Sequence, residues 1–479
     1  WTMYRGWFGG KREFGSAVAP WEFCLAEWNA QFLGDRAYQI SEQEKRNLRW
    51  EARQFEAERA WHRWDYPHQV GSEDFPERYP VYAKYFAANW PAFRTWGLSA
   101  NSPWSHGHYW TLREGVDKSR KELPVDWKNL QRPGFSPDYL DERYERIDLA
   151  FDLDDWIPTE AAKVLIRNNG PLLAYIAGKL EAFTSKDHNF FPGDTIEKQL
   201  ILINNSREMV TAEYSWSLRL GQTGLGGGGD ALIEAGHQQR IPVELPLPTD
   251  LKPGKYEITA QTRFSTGETQ NDAFSISVLP RPAAPGAPSK IALFDPQGET
   301  SARLDAMGVR YLKVDAASKL PEIDLLIVGK NALTLDGPAP DIARVRDGLK
   351  VLLFEQAPEV LEQRFGFRIA TYGLRQVFKR VPDHPILAGL DEEHLQDWRG
   401  AATLVPPFTE YPSDPGFGSP ADRWCGLPVT RLWRCGNRGN VASVLIEKPA
   451  RGDFLPILDG GYSLQYSPLM EYRDGRGMI

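Results

Sequence analysis

The sequence predicts a multidomain chain, α/β at both ends and all-β in between, and three observations carry that prediction. Over the first 178 residues short apolar runs alternate with helical segments, and from there to about residue 280 the apolar residues recur with period two. Beyond a Pro-rich spacer, four short apolar runs are separated by helix-compatible segments. A length of 479 residues is too great for one hydrophobic core and fits about three domains.

In the first region, Ser41 opens SEQEKRNLRWEARQFEAERAW with Glu44 three residues later, a capping box; Leu48, Ala52 and Phe55 then recur at helical spacing, predicting a helix over residues 42–63. VYAKYFAANWPAFRTW predicts a second helix feeding GLSANSPW as strand and loop. Thr159 starts a third, EAAKVLIRNN, which Gly170-Pro171 ends. Strand alternating with helix argues for parallel strands. Over residues 179–280, Tyr214, Trp216, Leu218 and Leu220 alternate with Ser215, Ser217 and Arg219; Tyr256, Ile258 and Ala260, then Phe274, Ile276 and Val278, repeat the pattern, which predicts an antiparallel β-sandwich. The run GLGGGGD lacks the Lys-Ser/Thr of a phosphate-binding loop and reads as a flexible hairpin loop. LPRPAAPGAPSK, residues 279–290, predicts an extended, stiff spacer, with residues 281–290 as the linker proper. KIALFD, RYLKVD, DLLIVGK and LKVLLFE read as buried parallel strands of a doubly wound sheet in the last domain, residues 291–479.

A net charge of −8 and a pI near 5.7 supply no basic stripe, so nucleic acid is excluded as the expected partner, and no apolar run is long enough for a membrane span. Cys24, Cys425 and Cys435 show no metal-ligand spacing, and ordinary buried thiols are the expectation; neither metal nor cofactor is predicted. The chain starts at Trp1 rather than Met, and Asp474-Gly475 marks a turn leading into what reads as the start of a strand, so the expectation is a sequence cut at both ends, with any signal peptide lost.

Chemistry is expected in the first region, which holds 13 of the 17 tryptophans. Such enrichment suits a large core or a stacking surface for flat ligands. In EFCLAEWNAQFLG, Glu27 follows an apolar run and is flanked by Trp28 and Asn29; a carboxylate at a strand end can attack an anomeric carbon if a partner acid stands across the bond. The alternative is a Glu in an ion pair at a helix start. One βα unit further on, LSANSPW delivers Trp104 at a second strand end, and in a (β/α)8 barrel both would share the catalytic face.

LAEWNAQFLG and GLSANSPWSHG together resemble clan A retaining glycoside hydrolases, in which a nucleophilic Glu ends the seventh barrel strand and an aromatic platform ends the eighth. RNNGPLLAYIAGKLEAFTSKDHNFFPGDTIEKQLILINNS resembles the passage from the last barrel helix into the β-sandwich of β-galactosidase-like enzymes of glycoside hydrolase family two and its bacterial relatives, and the last domain resembles a class I amidotransferase-like module. The resemblance implies a partial (β/α)8 barrel (its last two units) over residues 1–178, an immunoglobulin-like sandwich over 179–280 and a doubly wound amidotransferase-like domain over 291–479. It implies Glu27 as nucleophile, Trp104 as sugar platform, and Trp28, Asn29, Asn101, His106 and His108 as neighbours of an oligo- or polysaccharide substrate. An extracytoplasmic location is expected from the resemblance alone. Two departures matter. The family's acid/base is a Glu preceded by Asn, and no Asn-Glu dipeptide occurs; only about twenty-five residues precede Glu27, too few for six βα units. A retaining mechanism needs both carboxylates, roughly 5 Å apart, so the chain as given is expected to be incomplete as a glycosidase. A carbohydrate-binding or assembly protein with a degenerate barrel is the alternative. In the last domain VLLFEQAPEVL has Glu355 and Gln356 but no Cys, so that domain is read as non-catalytic, packing on the barrel or on another subunit in a homo-oligomer. His384 is read as a loop residue.

Overall fold

The computed structural model describes residues 30–38, 46, 49–50, 53–54, 56–59, 78–98, 109–117, 121–122, 139–140, 152–221, 223–281, 290–317, 319–371, 373–405, 423–424, 427–428, 434–438, 441–461 and 464–479. The architecture is mixed α/β, with many strands in several sheets and few helices.

Two helices organise the N-terminal part, α1 (Arg78–Thr95) and α2 (Glu160–Asn169). Tyr79, Tyr82, Phe86 and Trp90 recur at helical spacing along α1 and are buried with Phe32, Tyr109, Ala161, Ala162 and Leu165 in one cluster. Helix α2 has the bounds its sequence predicts: the Thr159 side chain accepts from the Ala162 amide, and Gly170 is the C-cap. Helix α1 ends where Gly97 turns left-handed at φ 75°, with the Leu98 amide donating to Phe93 O at 3.0 Å and the Gly97 amide to Arg94 O at 2.9 Å. Residues 97 and 98 are therefore turn and coil, not the start of a strand. The helix predicted over 42–63 is helical at the described positions 46–56 but stops there. Glu58 takes φ 53° and the Arg59 amide reaches back to Gln54 O at 3.0 Å, the same capping geometry without a glycine to announce it.

The middle of the chain forms two sheets around one core, antiparallel except where Asn189–Phe190 pairs parallel with the last strand. Strands β1 (Leu172–Ala177), β2 (Thr195–Asn204), β3 (Val210–Leu220), β4 (Thr223–Ile233), β5 (Gln238–Pro246), β6 (Gly254–Phe264) and β7 (Thr269–Val278) are ordered β5-β2-β1 in one sheet; Asn189–Phe190 followed by β7-β6-β3-β4 forms the other. Leu172, Ile196, Leu200 and Leu202 meet Val210, Leu218, Ile258, Phe264 and Ile276 between them. Strand β1, which the sequence reading places with the barrel region, pairs along its length with β2. The opposite face of β2 is also buried, through Ile201 and Ile203 packed with Leu173 and Ala177, so the strand reads as a continuous apolar run rather than an alternation.

One expectation is overturned here. GLGGGGD is not a hairpin loop but the centre of edge strand β4, paired with β3 over its full length. Trp216 stands opposite Gly227 and Tyr214 opposite Gly229; their rings lie across the glycines, 6.0 Å apart and within 11° of parallel. A Cβ on Gly227 would stand 2.5 Å from the Trp216 ring. The neighbouring strand's aromatics supply the side-chain cover that glycine lacks.

In the C-terminal part, β8 (Ile291–Phe294), β9 (Leu312–Lys313), β10 (Leu325–Val328) and β11 (Lys350–Leu353) are parallel in the order β9-β8-β10-β11, as the four apolar runs predict. Strand β9, however, is a two-residue exposed edge rather than a buried strand. Only α3 (Glu299–Ala306), between β8 and β9, is a regular α-helix among the described crossovers; Ile342–Asp347 is a 3-10 helix and Val360–Arg364 a π-turn. Gly477–Met478, beyond the Asp474-Gly475 turn, pairs parallel with β11 and antiparallel with Tyr466–Asp474, where the sheet turns mixed.

Candidate functional site

The predicted site residues Glu27, Trp28, Asn29, Asn101, Trp104, His106 and His108 all lie outside the described residues. Their flanks are described. Residues 30–33 are helical and run into the 3-10 helix Gly34–Tyr38. Ala30 and Ala37 are buried against Leu464 and Phe378 of the C-terminal part. Gly34, at φ 58°, brings its backbone so close to Phe378 that a Cβ would stand 2.8 Å from the ring. On the other flank Tyr109 is fully buried, edge-on to Tyr82 and Phe86 at 5.6 and 5.1 Å. Phe32 and Tyr109, five residues beyond Glu27 and five beyond Trp104, belong to one apolar cluster.

The base of that cluster is tied to the two-sheet unit. Trp90 Nε1 donates to Asn169 Oδ1 at 3.1 Å, and Asn168 Nδ2 to Phe86 O at 3.3 Å. Arg94 spans the gap, donating to Asn168 O at 2.6 Å and to Asn205 Oδ1 at 2.8 Å. Thr95 Oγ1 and the Tyr175 hydroxyl are 2.6 Å apart, and burial pushes the Tyr175 hydroxyl well above the ordinary tyrosine range.

A second constellation was invisible in the sequence because its members are far apart. The N-terminal helices, the two-sheet unit and the C-terminal part meet at a junction sealed by hydrogen bonds. The Ala402 amide donates to Thr184 Oγ1 at 2.7 Å, His188 Nε2 lies 2.9 Å from Glu393 O, and Asn189 Nδ2 donates to His394 O at 3.0 Å. Between Thr184 and His188 the chain carries Lys186. Across the junction the Trp398 amide donates to Arg375 O at 3.2 Å and Gln376 bridges Gln396, setting Arg375 and Asp397 on adjacent strands of chain. The Arg375 guanidinium carbon lies 5.7 Å from the Phe32 ring centroid. Asp397 takes φ 52°, in the left-handed region that Asp and Asn enter more readily than other non-glycine residues.

Burial lowers the proton affinity of Lys186, Arg375 and Lys84, and the Asp397 carboxylate opposes that in all three. Arg375 depresses Lys84 and Lys186 further, and Arg399 adds to the effect on Lys186. Lys186, Arg375 and Asp397 are half-buried, and among the described residues none of their charged groups makes a hydrogen bond or ion pair. Nearby, Lys198 is 3% exposed, donates to Asp187 O at 2.7 Å and lies 4.0 Å from the Phe274 ring centroid. Burial brings its ammonium down to about 8.

Other groups that could carry chemistry are otherwise engaged. Asp391, Glu393 and His394 bring one donor atom each within 4.8 Å of one another. His394 Nδ1, however, accepts from the Asp391 amide at 2.8 Å as a helix cap, and Glu393 is paired with Lys255. In the run VLLFEQAPEVL, Gln356 is fully buried, accepting from the Leu333 amide at 2.9 Å and donating to Gly329 O at 2.8 Å and Phe354 O at 2.6 Å. Glu355 accepts from the Ser443 and Val444 amides at 2.7 and 3.1 Å. Both clamp backbone. His384 caps the 3-10 helix Pro385–Leu387 and lies 3.3 Å from Glu471.

No protein-family model matches the chain, and no curated protein sequence matches it. Among solved structures, it is similar to Spo0M, a sporulation control protein from Bacillus subtilis, at 12% identity over 23% of this chain and 49% of that one, with a TM-score of 0.16. It is similar to the CARDB domain of the PF1109 protein from Pyrococcus furiosus at 12% identity over 22% of this chain and 87% of that one, TM-score 0.18. A family 123 glycoside hydrolase from Clostridium perfringens matches at 14% identity over 28% of this chain and 32% of that one, TM-score 0.17. Likeness at these TM-scores does not define a shared fold.

Proposed function

We propose that this chain is part of a retaining β-glycosidase of β-galactosidase-like type, hydrolysing O-glycosidic bonds by double displacement. In this reading residues 1–178 are the last two units of a (β/α)8 barrel, the two-sheet unit is an immunoglobulin-like sandwich, and the C-terminal part is a non-catalytic, doubly wound amidotransferase-like domain. Glu27 is the nucleophile that attacks the anomeric carbon; an acid from outside this chain protonates the leaving oxygen, and water then releases the sugar. Trp104 stacks against the pyranose, and Trp28, Asn29, Asn101, His106 and His108 orient it.

The observation that supports the reading best is the shared cluster of Phe32 and Tyr109: the segments that follow LAEWN and NSPWSHG in sequence are anchored together by α1 and α2. The test is turnover of aryl β-glycosides by the full-length protein. Glu27→Gln is expected to lower kcat by about 10³-fold or more while leaving sugar binding in place. Turnover within about tenfold of wild type would remove the assignment.

The absence of any Asn-Glu dipeptide favours a second reading, a carbohydrate-binding or assembly protein with a degenerate barrel. Retention on immobilised polysaccharide with no turnover by the full-length protein would decide for it.

A further inference from the structure

The two-sheet unit closes its sheet edges by several devices, and one edge has none of them. Along β1 the Ala174 amide donates to Gln270 Oε1 and the Ile176 amide to Asp272 Oδ2, both at 2.7 Å, while Gln270 Nε2 donates to Leu172 O at 3.0 Å. Edge strand β5 carries Pro242 and Pro246, and Asn189–Phe190 lies against β7. Strand β4, an edge of eleven residues, is left open. The Leu220–Thr223 pair closes a two-residue loop and is therefore of the hydrogen-bonded kind, so Gly224, Gly226, Gly228 and Asp230 turn their backbone N–H and C=O groups away from β3. All four residues are exposed, and no partner for these groups stands among the described residues. Arg219 and Asp230 are exposed on the outer face, and their side chains make no ion pair or hydrogen bond among the described residues.

We propose that β4 pairs antiparallel with β4 of a second copy of this chain, about a twofold axis at Gly227, joining two five-stranded sheets into one of ten strands. Gly226 then faces the partner's Gly228, and Gly224 the partner's Asp230, in hydrogen-bonded pairs that use the outward backbone groups of both chains. Two contacts select this register. On the outer face Arg219 stands opposite Gly224, so one row runs from Arg219 across Gly224 to the partner's Asp230, about 10 Å between the outer Cα atoms, with no side chain between them. The twofold axis makes that ion pair twice, and it offsets a like-charge neighbour, because within one chain Asp230 stands opposite Glu213. On the inner face the Tyr214 ring lies across Gly229, and the partner's Leu225 falls beside it. Moving the axis to Gly226 or Gly228 sets the partner's Gly228 or Leu232 against Gly224 and loses the ion pair. The pairing is independent of the glycosidase reading and stands whether or not Glu27 is a nucleophile.

The experiment is sedimentation equilibrium of the whole chain from about 1 to 100 µM, together with hydrogen exchange at the β4 amides. The average mass is expected to climb from 54.3 kDa toward twice that value, and to climb less at high salt. The amides of Gly224, Gly226, Gly228 and Asp230 are expected to exchange more slowly in the concentrated sample. Arg219→Glu and Asp230→Lys are each expected to weaken the dimer by about tenfold, and the double variant to return to within about threefold of wild type. Both positions are exposed, so the variants should fold, and where one does not, the other decides alone. A chain still monomeric at about 100 µM would overturn the proposal. That includes a monomer whose β4 amides are already protected, since another segment of the chain would then cover the edge. A dimer indifferent to both single reversals would put the contact elsewhere and overturn it equally.

Discussion

The two-sheet unit and the parallel sheet of the C-terminal part both bury apolar strands, and they do so in opposite ways. In the parallel sheet the inner strands β8 and β10 are covered on two faces: Ala292, Phe294, Leu326 and Val328 enter one core with Val351 of β11, while Leu293 and Ile327 enter another with Leu304 of α3. In the two-sheet unit the five-stranded sheet commits one face only, with Ser215, Ser217 and Arg219 of β3 turned outward. The polar groups they bury differ in the same sense. The parallel sheet buries an amide, Gln356, with backbone partners on both its oxygen and its nitrogen. The two-sheet unit buries a cation, Lys198, with one carbonyl and one ring. A neutral group with matched partners costs little to bury, whereas a cation on the same face as Leu200 and Leu202 keeps its stability tied to pH.

The largest expected effect tests the first half of that contrast. Leu202 is fully buried on a strand apolar on both faces. Leu202→Ala is expected to destabilise the protein by about 2–5 kcal/mol in denaturant unfolding. Leu312→Ala, on the exposed edge strand of the parallel sheet, should stay within about 0.5 kcal/mol. Comparable losses at the two positions would mean that the edge of the parallel sheet is covered by something else.

The second prediction concerns Lys198 and has a definite sign. Its ammonium titrates at about 8 in the folded chain against 10.5 for an unperturbed lysine. Below pH 8 the group is charged in both states and the fold bears the desolvation penalty. Between about pH 8 and 10.5 the unfolded chain binds the extra proton, so stability rises with pH, by about 3 kcal/mol in all. Unfolding of wild type and Lys198→Met across that range should diverge, with the rise missing from the variant. Parallel curves would show that the buried ammonium is solvated in a way its surroundings do not suggest.

How much was legible follows from where each signal lives. Thr159 and Gly170 bracket α2 locally, and β3, β6 and β7 alternate along their own lengths, so a single pass along the chain finds them. The four apolar runs become parallel strands for the same reason. The end of the helix after position 56 was missed because a Glu, not a Gly, takes the left-handed cap. The junction was missed for a deeper reason: Lys186, Arg375 and Asp397 belong to no motif, and about 190 residues separate the first from the second. Only folding brings them together. Glu27 and Trp104 rest on sequence and on the anchoring of their flanks.

Strand β4 shows the same limit at short range, and it supplies the smallest predicted effect. Four consecutive glycines have little intrinsic preference for a strand, and the information that makes them one sits in Tyr214 and Trp216 on the neighbouring strand. If the rings are what hold the strand, a methyl group at Gly227 must displace the indole it would meet at 2.5 Å, while a methyl at Gly221, in the β3–β4 turn, meets nothing within 4 Å. Gly227→Ala is expected to cost about 1–2 kcal/mol and to shift Trp216 emission toward that of a more exposed indole. Gly221→Ala carries only the backbone cost of φ 74°, about 1 kcal/mol, with emission unchanged. Fluorescence therefore separates the two even where their stabilities are close: an unshifted Gly227→Ala spectrum would mean that the glycine run folds as a strand by itself, and that the aromatic pair only decorates it.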